Sequence, residues 1–82
     1  MLPMTVKETV QKEMAKRPPL PEPSERQALR KKARLTQVAL AGIVGVDRKM
    51  ISQYENGIAE PTGARRLRYV EALNVMADET AP

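Results

Sequence analysis

Two apolar patterns with helical spacing stand only two residues apart, and that gap limits the fold more than any other feature of the chain. Val38, Leu40, Ala41 and Val44 form the first pattern, which closes at Gly45, a residue able to take positive φ. Asp47 caps the second, whose Met50, Ile51 and Tyr54 fall on one side before Asn56 and Gly57 end it. The spacing predicts helices over about 36–44, capped by Thr36, and about 47–56, with Gly45 and Val46 alone between them. Helices joined by so short a turn cross steeply, and small residues are needed where their backbones approach. Ala41 and Gly45 occupy those places.

The flanks supply further helices. Ser24 followed three residues later by Gln27 has the form of a capping box, so a helix is expected from Ser24 to about Ala33. Pro61 and Thr62 open a last helix, with Leu67, Val70 and Leu73 as its apolar positions and Asn74 as its terminator. Upstream, RPPLPEP at 17–23 holds four prolines, which favour extended backbone and mark a linker. Before it, Val6, Val10 and Met14 recur every four residues in a narrow stripe that a short helix needs a partner surface to stabilise. The expected organisation is an N-terminal arm at 1–17, either amphipathic helix or flexible, a proline-rich linker at 18–23, a helical domain at 24–77 and a disordered tail at 78–82.

Composition narrows the function. The 82 residues include no Cys and no His, which removes disulfides, thiolate and imidazole metal sites, a Cys nucleophile and the usual imidazole acid or base. With no clustered carboxylate pair either, the chain is expected to be no enzyme and to need no cofactor or metal. No apolar run approaches the roughly 18 residues that span a bilayer, so a soluble, cytoplasmic, nucleoid-associated protein without membrane contact is expected. The net charge of +4 suits a polyanion, and residues 24–34 concentrate it, with Arg26, Arg30, Lys31, Lys32 and Arg34 against Glu25 alone.

Packing of the first helix of the tight pair against its neighbours leaves the outer face of the second helix free, and that face carries Arg48, Lys49, Ser52 and Gln53. An exposed helix fits the major groove of duplex DNA, where Arg or Lys donates to guanine and Gln pairs bidentately with adenine. Arg48 and Lys49 near a helix start oppose the helix dipole, a mild cost that favours a functional reason for them.

As a set, LTQ at 35–37, LA at 40–41, VGV at 44–46, the run D-x-x-x-I-S-x-Y-E-N-G from Asp47 to Gly57, and Pro61 make residues 24–75 resemble the Cro/repressor-type (lambda-like) helix-turn-helix domain of phage repressors and bacterial regulators. The resemblance implies an all-α domain of four helices with a short N-terminal helix or flexible arm. It also implies that Gln37 touches a phosphate and braces the recognition helix, that Arg48, Lys49 and Gln53 face base edges, and that Arg30 pairs structurally with Glu55. Lys31, Arg34, Ser52, Arg65 and Arg66 are the further candidates for phosphate contact, with Arg68 beside them on the last helix.

The sequence departs from the family pattern at several points. Arg34 stands where a permissive residue is usual, and it is strained if its φ is positive. Gly42 lies inside a helix, where alanine is better by about 1 kcal/mol. The loop Ile58-Ala59-Glu60 is acidic where relatives carry phosphate contacts. The sequence also ends near the place where the family's fifth helix begins, so no fifth helix is expected and the usual dimer loses a contributor.

The expected function is sequence-specific duplex DNA binding by a transcriptional regulator, a repressor of phage, plasmid or bacterial type, as monomer or homodimer. The alternative is a protein-interaction module, antitoxin-like or a partner of a repressor or polymerase, which binds through Val6, Val10 and Met14.

Overall fold

A computed structural model of the 82-residue chain describes residues 5–10 and 19–82. The described residues are helices and turns without a strand. A short helical segment occupies 6–10, where the Glu8 amide donates to Thr5 Oγ1 at 3.1 Å. Four helices follow: α1 (Pro23–Lys32), α2 (Gln37–Val44), α3 (Arg48–Glu55) and α4 (Gly63–Thr80).

The caps at the centre match the sequence. Thr36 accepts from the Ala39 amide at 3.0 Å and Asp47 Oδ1 from the Met50 amide at 2.8 Å, so each hydroxyl or carboxylate satisfies a first-turn donor that has no helical partner. Between them Gly45 takes φ 85° and returns its amide to Ala41 O at 2.8 Å. A Cβ on Gly45 would also come within 3.0 Å of the Arg68 guanidinium, so this position needs glycine for both backbone and space. Gly42 faces open space, and no packing contact accounts for it.

The start of α1 differs from the expected capping box. The helix begins at Pro23, and Glu22 occupies the cap position without a capping bond from its side chain. Proline at the first helical position already holds a helical φ and gives up only an amide that would have no helical partner, so the linker's last proline starts the helix and Ser24 lies inside the first turn.

The core is built from Leu40, Ala41 and Val44 of α2, Ile51 and Tyr54 of α3, and Tyr69, Leu73 and Met76 of α4. Val38 lies outside it, exposed. On α4 the structure corrects the sequence reading: Tyr69, Leu73 and Met76 face inward, whereas Leu67 is exposed and Val70 half-buried. Repeated three-residue steps rotate off one face by about 60° each, while a four-three step returns to it. The helix also runs past Asn74 to Thr80, so part of the segment expected as a disordered tail forms its last turn. Burial of Met76 and the bond from Thr80 Oγ1 to Met76 O, at 2.6 Å, hold that turn, and no glycine or proline interrupts the run before Pro82.

Tyr54 and Tyr69 pack with ring centroids 5.2 Å apart. The Tyr69 hydroxyl is buried without a hydrogen-bond partner among the described residues, and burial pushes it up to about 12. Its folded-state value thus lies above the unfolded value of about 10. The stabilising contribution of the neutral phenol is fully present below pH ~10 and is lost as pH rises towards ~12. Tyr69→Phe, which deletes the unpartnered hydroxyl, is expected to leave stability at pH 7 unchanged or raise it by about 1 kcal/mol, and to remove much of the alkaline loss. Urea unfolding at pH 7 and pH 11 tests this, and a loss above 1 kcal/mol at pH 7 would show that the hydroxyl is bonded.

Candidate nucleic-acid interface

The free face of α3 arises from its sequence. Ile51, Tyr54 and Glu55 turn inward, which leaves Arg48 and Lys49 exposed at its start and Ser52 and Gln53 half-buried along its outer side. The first turn holds no acidic residue to balance the two cations.

Behind this face a polar chain crosses the domain. Arg30 donates through Nε to Glu55 Oε2 at 2.6 Å and through Nη2 to Glu55 Oε1 at 3.0 Å, a bidentate pair with both residues buried. Arg30 Nη1 also donates to Leu35 O at 2.9 Å. The hydrogen bond to Glu55 raises the Arg30 guanidinium above its ordinary range against the opposite effect of burial, so the cation is retained. Gln37 Nε2 donates to Glu55 Oε1 at 3.2 Å, and the Gln37 carbonyl accepts from Arg48 Nη1 at 3.3 Å. The ion pair therefore orients Gln37, and Gln37 orients Arg48.

Arg26, counted in the sequence among the five cations of 24–34, is a second buried arginine. Arg26 Nε donates to Pro21 O at 2.8 Å, Nη1 to Tyr54 O at 3.0 Å and Nη2 to Glu60 Oε2 at 3.1 Å. Of the five cations at 24–34, Arg26 and Arg30 are thus buried and paired, and the exposed patch reduces to Lys31, Lys32 and Arg34. One signal was available: PSERQALRKK has only Ala28 and Leu29 as apolar residues, so a helix of this sequence has to bury arginine stems to pack at all. Glu60, read as an acidic departure in the loop, serves as the partner of Arg26.

The remaining candidates divide. Lys31 is exposed, and Arg34 is exposed with φ 60°, the only non-glycine residue of positive φ among those described. Arg65 is exposed, whereas Arg66 is half-buried, donates to Pro61 O at 3.3 Å and lies 3.8 Å from Glu60. Arg68 is exposed beside Gly45. The backbone carbonyl of Ser52 accepts from Asn56 Nδ2 at 2.7 Å, which braces the end of α3. Val6 and Val10 are exposed, and Met14 falls outside the described residues. Among the described residues no group of acidic side chains could hold a metal, and no helix is long and apolar enough to cross a membrane.

A family model described as helix-turn-helix matches residues 27–79, more than half of the chain. No curated protein and no solved structure matches it.

Proposed function

This chain belongs to the Cro/repressor-type helix-turn-helix family of DNA-binding regulators, and from that premise we propose that it is a sequence-specific repressor whose α3 enters the major groove. The observation that carries this reading is the bonded chain from the buried Arg30–Glu55 pair through Gln37 to Arg48, which holds the Arg48 side chain at an exposed helix start where base edges would be reached.

In this proposal Arg48, Lys49 and Gln53 read base edges. Gln37, Lys31, Arg34, Ser52, Arg65 and Arg66 contact phosphates and set register. The left-handed Arg34 fits this role, since a strained backbone position carrying an exposed cation between α1 and α2 gains a reason from a phosphate partner. Repression follows by occlusion of a promoter. As a homodimer, the protein would set two copies of α3 in successive major grooves about 34 Å apart. The exposed Val6 and Val10 support a second activity, docking of a partner protein on the arm.

Selection of bound sites from a random duplex library by the full-length protein, at about 150 mM salt where phosphate attraction is weakened, is expected to enrich one motif. A palindrome with half-sites about one helical turn apart indicates a dimeric reader, and a single half-site a monomeric one. Folded protein that enriches nothing sinks the proposal.

A further inference from the structure

Two apolar surfaces lie bare among the described residues. The first is an open groove of about 330 Å³ between α2 and α4, walled by Leu35, Ile43, Ala72, Val75 and Met76, with Arg68 and Glu71 as its charged residues. Ile43 is 55 % exposed on it and Val75 54 %, and α2, with the sequence QVALAGIV, brings no charged side chain to its wall. The second surface is the arm, where Val6 is 81 % exposed and Val10 49 %. Met14 continues that stripe in the sequence, and no proline or glycine interrupts residues 5–17.

We propose that the groove seats the chain's own N-terminal segment, residues 5–17, as an amphipathic helix antiparallel to α4. The lengths agree: Val6 to Met14 and Arg68 to Met76 are both eight-residue steps, about 12 Å of helix. Charge selects the direction. Lys7 and Glu13, each three residues from Val10, flank the arm's stripe, and the groove carries Arg68 before Glu71. The antiparallel direction sets Glu13 towards Arg68 and Lys7 towards Glu71, whereas the parallel one sets like charge on like. Neither Arg68 nor Glu71 forms an ion pair with another described residue. The tether selects the same direction. Arg26 bonds both Pro21 O and Glu60, so the chain enters the domain at the end where α4 begins, the end that Met14 of an antiparallel arm reaches. The six residues 15–20 extend up to about 22 Å. That is enough to cross a helix about 10 Å wide and meet Arg68, about 8 Å along α4 from Gly63. The arm of a second copy lacks this tether and meets the groove at a lower effective concentration. A seated arm withholds Val6 and Val10, so any protein that grips the arm has to displace it from the groove.

Methyl NMR of the full chain, free of DNA, tests the contact across a micromolar concentration series. Val6→Asp with Val10→Asp is expected to move the Ile43 and Val75 methyl signals away from their wild-type positions, by the same amount at every concentration. The Ile51 methyl signals, from the core, are expected to stay in place and report that the domain is folded. Glu13→Lys is expected to move the Ile43 and Val75 signals in the same direction, and Glu13→Lys combined with Arg68→Glu to bring them back. Groove signals that are identical in the wild type and the Val6 and Val10 variant overturn the proposal, as does a charge exchange without rescue. A displacement that changes with protein concentration overturns it in favour of the arm of a second copy.

Discussion

Glu55→Ala is expected to cost the domain about 3–5 kcal/mol, a large share of the ~5–15 kcal/mol by which small domains are stable. The carboxylate accepts two bonds from Arg30 and one from Gln37, so its loss leaves a buried guanidinium with no counter-charge and an amide with no acceptor. Most of the cost lies in the orphaned charge. Arg30→Met combined with Glu55→Met is therefore expected to recover the greater part of the lost stability, since paired apolar replacements of a buried ion pair are often near neutral. Urea unfolding of the three variants decides the matter. A Glu55→Ala midpoint within about 0.5 kcal/mol of wild type would show that the pair contributes nothing, and a double variant as unstable as Glu55→Ala would show that its geometry matters more than its charge. Without Glu55 nothing orients the Gln37 amide towards Arg48, so the refolded double variant is also expected to bind DNA more weakly than its stability implies.

The second large effect concerns reading. Arg48→Ala and Gln53→Ala are each expected to weaken binding to the selected site by about 1–3 kcal/mol, and to relax preference at one base pair while leaving the others intact. Lys49 separates the two kinds of contact: if it reads a base, Lys49→Ala behaves in the same way, whereas a phosphate contact gives a uniform loss over all sequences and a salt slope shallower by about 1. Competition binding on duplexes that vary one base pair at a time measures both quantities. A uniform loss for Arg48→Ala and Gln53→Ala alike would remove α3 from base recognition. Gln53, half-buried and without the bonded support that Arg48 has among the described residues, is expected to show the smaller effect.

The centre of the fold was legible because local chemistry decided it. Thr36, Gly45 and Asp47 each act through their own backbone neighbourhood, and the helices they bound fall within a residue of the expected limits. At α1 two local signals competed, and the proline at the first position superseded the Ser24–Gln27 box because its ring already holds a helical φ one residue before Ser24. On α4 the three-residue apolar spacing found Leu73, which is core, but drifted off that face at the exposed Leu67 and the half-buried Val70 and passed over Tyr69 and Met76. The pair Arg30–Glu55 followed from family resemblance and is present, but spacing alone does not join residues 25 apart in sequence. Arg26 was misplaced for the same reason: as one of five cations it looked like part of a surface patch, and only tertiary contacts with Tyr54 and Glu60 make it interior. The exposure of Arg48 and Lys49, by contrast, was implied once Ile51 and Tyr54 were recognised as the inner face.

The three bonds of Arg26 also give the N-terminal arm a fixed origin. One of them holds Pro21 O, and the Pro23 ring lies against Gly57, where an added Cβ would come within 3.3 Å of it, so the linker leaves the domain beside the end of α3. Ten residues, 11–20, lie between Pro21 and the described arm segment, a contour of at most about 36 Å. A connection of that length keeps Val6 and Val10 within reach of the domain surface around the end of α3. Under the proposed function, a protein held by the arm would be carried to the DNA site that α3 occupies, so its own affinity for DNA would need only be slight.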